Sequence, residues 1–264
     1  MTMDATHTFA ILAYKQSPYL EDCIESLQRQ TVKSKIILST STPSGFLEQL
    51  ARRHNIDLIH NKNDGGIGAD WTFAYESADT QFVTLAHQDD IYYQDYTESC
   101  LLATRRTPEF LISFTDYDEL YGNTSRRHTL NMAIKKIVLA GFYFLNQGVG
   151  GRFSRQCMLS LGSPIPCPSV MYNKKTIGRF AFAADLSVSL DWEAWLQLSQ
   201  QEGSFVYVKR RLMAHRVHPE SQTTSCIEND QRKNEDQILF ERIWPKPIAR
   251  MLASLYTWSY RSNA

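Results

Sequence analysis

The stretch TFAILAYKQSPYLEDCIESLQRQT, residues 8–31, decides the fold class. It opens on an apolar run, the pattern of a strand covered on both faces. Ser17 then offers an N-cap and Pro18 a first-turn proline, after which Leu20, Cys23, Ile24 and Leu27 recur at helical spacing. The alternation continues downstream. KIILST (35–40) reads as a strand, Ser44 opens a helix through Leu47, Leu50 and Ala51, and IDLIH (56–60) returns to strand. The glycine turn NDGGIGADW (63–71) leads into a helix ending near Ala78, and QFVTLA (81–86) is a fourth strand. Repeated β-α-β units predict an α/β fold with a mixed, mainly parallel sheet flanked by helices.

In such sheets ligands bind beyond the carboxyl ends of the strands. Tyr14, Ser39, the glycine turn and the adjacent carboxylates Asp89 and Asp90 all fall at or just past strand ends, so they are expected to converge on one crevice. Two neighbouring acids at the edge of a core need water, a cation or hydrogen-bond donors to take up their charge. Such acids are suitable ligands for Mg²⁺ or Mn²⁺, although acids also favour the first turn of a helix, and QDYTESCLLATRR follows.

The second half is less regular. EFLISFTDYDEL (109–120) reads as one or two strands, and Leu130, Ala133, Ile134, Ile137 and Val138 mark an amphipathic helix. Gly148, Gly150 and Gly151 break the chain, and prolines punctuate PIPCPSVMY (164–172). Asp191 looks like the N-cap of a helix whose Trp192, Trp195, Leu196 and Ser199 share a face, and SFVYVKRRLMAHRVH (204–218) reads as a strand running into a loop.

The 28 basic and 28 acidic residues cancel, which removes the electrostatic case for nucleic acid as the main partner. Cys23, Cys100, Cys157, Cys167 and Cys226 are far apart and show no zinc-ligand spacing, so reduced thiols in a cytosolic protein are expected. The first residues show no signal-peptide pattern, and no apolar window is long enough to span a bilayer, the nearest being residues 137–145.

The segments FAILAYKQSPYLEDCIESLQRQT, NDGGIGADW, FVTLA, HQDDIY, CPSVMY, LDWEAWLQL and HRVHPESQT, in this order over residues 8–225, resemble family 2 glycosyltransferases. The resemblance implies a GT-A-type, Rossmann-like domain over residues 1–225, with a nucleotide-sugar-binding half (1–106) and an acceptor-binding half (107–225), followed by a C-terminal helical extension (226–264). It implies inverting transfer of a sugar from a nucleoside diphosphate donor, UDP or dTDP, to a hydroxyl of a carbohydrate or lipid-linked acceptor, in surface polysaccharide or glycan synthesis.

The site residues implied are Asp89 and His218 as ligands of Mn²⁺ or Mg²⁺ and Asp191 as the base. Tyr14, Ser39, Gly65, Gly66, Asp70, Trp71, Asp90, Glu193 and Arg216 line the donor site, with Glu193 the reserve base. The chain departs from the family pattern in three places: His87 stands for the usual first acid, Ser39–Ser41 replace a base-reading acid, and Trp71 replaces an arginine. The last stretch, IWPKPIARMLASLYTWSYRSNA, mixes Trp, Leu and Tyr with Lys246, Arg250 and Arg261. It fits a helix lying on the inner face of a membrane, or one packed on the core or on a second copy in a homo-oligomer.

Two other readings remain. A sugar nucleotidyltransferase would carry a glycine-rich loop with a basic residue after the first strand; AYKQSPYL has Lys15 but no glycine. A non-catalytic carbohydrate-binding or scaffolding protein of the same fold is the other.

Overall fold

A computed structural model describes residues 6–63, 65–122, 124–127, 129–144, 147–218 and 231–261. Outside them lie Asp64 of the glycine turn, the PESQT part of the late histidine motif, Cys226, the expected boundary after residue 225, and the first five residues. The expected alternation is present: β1 (His7–Ala13), α1 (Leu20–Gln28), β2 (Lys35–Thr40), α2 (Gly45–His54), β3 (Asp57–His60), α3 (Gly66–Ser77) and β4 (Phe82–His87). Then come β5 (Ile91–Tyr92), α4 (Tyr96–Thr104), β6 (Phe110–Tyr121), β7 (Thr124–Arg126), α5 (Leu130–Tyr143), β8 (Gly148–Val149) and α6 (Arg152–Leu159). The chain continues through β9 (Met171–Asn173), α7 (Lys174–Ile177), α8 (Leu190–Leu198), β10 (Ser204–Val217), α9 (Gln231–Ile243) and α10 (Lys246–Arg261).

The strands form one sheet in the order β3-β2-β1-β4-β9-β6-β10-β5, with β7 on β6 and β8 on β10. β1 pairs parallel with β2 and β4, β2 with β3, and β6 with β10; β9 runs antiparallel between β4 and β6. The period-2 alternation of a strand divides the core between the two faces. Phe9, Ile11 and Ala13 of β1 join Leu38, Val206 and Val208 beneath α1, α2 and α4. Ala10, Ile37, Phe205 and Tyr207 point the other way, into the aromatic layer with Tyr75, Trp192, Trp195 and Phe240.

Three local expectations are corrected. Ser17 does not begin α1: its Oγ accepts from Tyr19 N (3.2 Å) and its carbonyl from Leu20 N (3.4 Å), closing a separate turn around Pro18 before the helix starts at Leu20. Asp191 is not an N-cap, because Ser189 holds that position and Asp191 is the second residue of α8. The segment read as a strand running into a loop is strand through Val217, because pairing with β6 continues to Val217↔Tyr121. Ser44, by contrast, caps α2 by accepting from Leu47 N.

The start of α8 is held from outside the sheet. Carboxylate oxygens of Glu235, on α9, accept from the backbone N–H groups of Ser187, Val188 and Ser189, each at 2.9 Å. Asp236 accepts from Ser189 Oγ at 2.7 Å. Trp192 of α8 meets the Phe240 ring at 4.7 Å and Tyr256 at 5.9 Å, so α9 and α10 cover the face of α8 that the sheet leaves open. Burial pushes the Asp236 carboxyl up to about 6, against the pull of the nearby Arg232 guanidinium.

Two outcomes follow from this clamp. Glu235→Ala strands buried N–H donors and should lower stability by on the order of 3 kcal/mol in urea denaturation. Asp236 has a folded pKa of about 6, above its unfolded value, so its contribution to stability is full below the unfolded pKa and is lost as pH rises through 6. Asp236→Asn should therefore gain melting temperature relative to the wild type as pH is raised from acid to mildly alkaline, and a pH-independent difference would refute this.

Candidate active site

In-register pairing aligns the strand ends. Leu12 of β1 lies beside Ser39 of β2 and His87 of β4, and Ser39 lies beside Ile59 of β3, so the residues that follow emerge along one edge. Tyr14 is half exposed there, with Lys15 over its ring at 5.0 Å. The Gln88 side-chain amide ties the two loops together, accepting from Tyr14 N at 3.1 Å and donating to Tyr14 O at 3.2 Å. Ser39 is buried. Asp70 accepts from Ser41 Oγ (2.7 Å) and Asn61 Nδ2 (2.8 Å), joining the ends of β2 and β3 to α3.

The glycine turn differs residue by residue. Gly66 has φ +74°, a conformation that favours glycine, and a Cβ on Gly65 would lie 2.6 Å from Ala69 Cβ. The closest approach is at Gly68, where a Cβ would sit 2.2 Å from the Ala183 carbonyl oxygen and 3.2 Å from Leu190. That contact brings the start of α8 against α3. Trp71, one turn further along α3, meets His87 at 5.3 Å and Phe182 at 5.2 Å between ring centroids.

The two carboxylates have different surroundings. Antiparallel pairing of β5 with β10, Met213↔Tyr92 and Ala214↔Ile91, carries Asp90 to His215. Asp90 is fully buried; its Oδ1 accepts from His215 Nδ1 at 2.9 Å and Arg216 N at 3.0 Å, while Oδ2 has no hydrogen-bond partner among the described residues and lies 4.0 Å from His87 Nδ1. Burial pushes His215 down, but the Asp90 carboxylate outweighs it and lifts the imidazole to about 9. Asp89 is partly exposed and its Oδ2 meets His218 Nε2 at 2.9 Å. Burial works against its charge, yet His87, His215 and the His218 hydrogen bond hold its carboxyl below the ordinary value.

Arg216 fastens this corner. Its Nε donates to Asp89 O at 3.0 Å, it pairs with Asp22 at 3.3 Å, and its guanidinium lies 4.3 Å from the centre of the Tyr19 ring. Tyr19 also meets His218 at 5.0 Å. Ligand atoms of His87, Asp89 and Asp90 lie within 4.8 Å of one another. This donor set of carboxylate oxygens and an imidazole, with the Asp90 Oδ2 and His87 Nε2 atoms buried and without a partner among the described residues, suits a divalent cation.

Asp191 comes from the first turn of α8, which packs on α3 at Gly68. Burial raises its carboxyl above the ordinary value, opposed by Arg232, the Trp192 N–H at 2.6 Å, Lys135 and His87. His87 thus acts on both Asp89 and Asp191, drawing both carboxyls down. Glu193 does not join this group; it pairs with Arg242 of α9 at 3.4 Å.

Sequence reasoning passed over three groups. His215 is not among the residues implied by the motifs, yet it is the partner of the buried acid, and the signal that would mark it is the register of β5 against β10. Lys135, from α5, reaches the surroundings of Asp191, and Glu235 holds the loop before it. No local pattern marks either, because both meet α8 only through tertiary packing.

Comparison with known proteins gives a consistent result. The family model described as Glycosyl transferase family 2 matches residues 8–175. No curated protein sequence matches the chain significantly. Among solved structures, Staphylococcus aureus TarS 1–349 in complex with UDP-GlcNAc superposes with TM-score 0.65 at 12% identity, covering 94% of this chain and 70% of that one. A longer S. aureus TarS structure gives 0.58 at 14% identity, covering 89% of this chain and 43% of that one. The mannosyltransferase PcManGT from Pyrobaculum calidifontis, in complex with GDP-Man and Mn²⁺, gives 0.66 at 11% identity, covering 96% of this chain and 74% of that one. The fold is the GT-A fold of these enzymes.

The unequal burial of the two acids has a measurable consequence. Asp90→Asn removes the charge opposite a protonated His215 and should cost about 3 kcal/mol in urea denaturation. Asp89→Asn, where the side chain keeps some contact with water, should cost clearly less.

Proposed function

The chain belongs to glycosyl transferase family 2, and from that premise we propose that it transfers one sugar from a nucleoside diphosphate donor, UDP- or dTDP-linked, to a hydroxyl of a carbohydrate or lipid-linked acceptor, with inversion at the anomeric carbon. The family makes it a glycosyltransferase; the observation that carries the finer reading is that α3 touches His87 through Trp71 and the start of α8 through Gly68, which brings Asp89 and Asp191 both near enough to His87 to feel its charge. A base and a phosphate-facing acid pair are what a single displacement needs across one cleft.

Asp191 is the base. The first turn of α8 and the Trp192 N–H orient its carboxylate, and burial raises its proton affinity, which favours taking the acceptor proton as the hydroxyl attacks. Tyr14 offers a ring to the nucleobase beside Ser39 and Asp70, while Gly65 and Gly66 let the backbone approach the donor. Trp71 walls the sugar side, and Arg216 adds positive charge at the diphosphate end. Glu193, paired with Arg242, is left with a supporting role at α8. Asp89, with His87, Asp90 and His218 around it, would hold Mn²⁺ or Mg²⁺, which supplies charge neutralisation for the departing diphosphate.

Synthesis of a surface polysaccharide or related glycan fits such a reaction. The relatives named above carry UDP-GlcNAc in one case and GDP-Man with Mn²⁺ in another, so both donor classes belong in the test panel.

The test is release of nucleoside diphosphate from a panel of UDP-, dTDP- and GDP-sugars with and without Mn²⁺, alongside donor binding by calorimetry. Asp191→Asn should lower turnover by about 100-fold or more while donor affinity stays within a few-fold. Asp89→Ala should remove the metal-dependent part of donor binding. Normal turnover in both variants would discard the site assignment; donor binding without turnover in the wild type, across acceptors, would favour the non-catalytic carbohydrate-binding reading.

A further inference from the structure

Charge is not evenly spread along this neutral chain. Residues 120–184 contain nine lysines and arginines and no aspartate or glutamate, and residues 242–264 contain four and none. These two stretches supply α5, α6 and α10, which pack together. Trp244, just before α10, donates Nε1 to Ser160 O at 2.7 Å, Tyr256 OH accepts from Ser163 N at 3.3 Å, and α10 also touches α5.

The outer faces of α5 and α10 are apolar. α10 buries Ala249, Ala253 and Thr257 and leaves Ile248, Met251, Leu255 and Trp258 exposed at 39, 56, 58 and 65%. Their three-four-three spacing makes them one stripe. α5 repeats the device with Ile134 and Ile137, and the stripe ends on Phe144 just past the helix, exposed at 39, 74 and 81%. Phe153 of α6 is 78% exposed. Lys246 and Arg250 stand among the α10 residues, and Lys136, which also reaches Asp116 at 3.3 Å, stands beside Ile137. Among the described residues no helix is long and apolar enough to cross a membrane.

We propose that this face, formed by α5, α6 and α10 from stretches that contain no acid of their own, docks the protein on the surface of an anionic lipid bilayer. The aromatic and aliphatic stripes enter the interfacial region while the lysines and arginines meet lipid phosphates. Charge decides against a second copy as the occupant. A two-fold contact would set the same cations against each other, with no carboxylate in either stretch to pair them. The surface is independent of the catalytic reading, and it would give a lipid-linked acceptor a reason to meet the protein.

The test is flotation of the full chain with vesicles of phosphatidylcholine alone and with phosphatidylglycerol added, at low and high salt. Binding to the anionic vesicles should be tighter by about tenfold or more and should weaken with salt. Lys246→Glu with Arg250→Glu, and separately Leu255→Ser with Trp258→Ser, should each lose most of it while circular dichroism and nucleotide-induced thermal shifts stay unchanged. Those shifts report the donor site, so a failure there is separate from a failure of docking. Equal or absent binding to both vesicle types, or variants that bind as the wild type does, would overturn the proposal. So would self-association, seen by sedimentation and abolished by Met251→Glu, without vesicle binding.

Discussion

The site depends on one buried carboxylate. Asp90 is withdrawn from water and draws an imidazole and a backbone amide from β10, a strand more than a hundred residues later. A carboxylate in that position is stable only if donors surround it, and β10 supplies them in consecutive residues. The pairing seams the end of β4 to the far side of the sheet. Asp89, His218 and Arg216 are then brought together by their places beside that seam, with Arg216 bonded to the Asp89 carbonyl and to Asp22 of α1. One acid is spent on architecture, and its neighbour keeps some contact with water beside His218.

The opposite wall is built differently. α8 lies where Gly68 admits the Ala183 backbone, and Trp71 fills the space between His87 and Phe182. The loop leading into α8 presents free amides that no sheet partner can reach, and Glu235 accepts them. Asp236 shares the task at the cost of being buried near a second acid, Asp191, with Arg232 drawing down both carboxyls. The candidate base is thus fixed by helix packing, and the acid pair by strand pairing.

This difference explains what could be read in the residues beforehand. The β-α-β half was legible because strands covered on both faces leave apolar runs, and each helix announces itself by spacing, so β2 and α2 fall within a residue of their patterns. Asp89, Asp90 and Asp191 stood out because acids beside apolar segments are chemically conspicuous. The partners of those acids did not. His215 meets Asp90 only because two residues of β5 pair antiparallel with β10, a strand too short to carry a pattern. Glu235 sits on an unremarkable polar helix, and its role comes from amides some forty-seven residues earlier. Ser17 misled because a serine before a proline caps a lone turn as readily as a helix.

The Glu235 clamp also bears on how the protein is made. Ribosomes release a chain from its amino terminus, and domains fold as they emerge. By the time β10 has left the exit tunnel the strand-end acids have their partners, but the amides before α8 do not, because α9 is still to come. A nascent chain at that stage holds a paired Asp90 and an unanchored Asp191. The last part of the candidate site is therefore set late, with the synthesis of one helix.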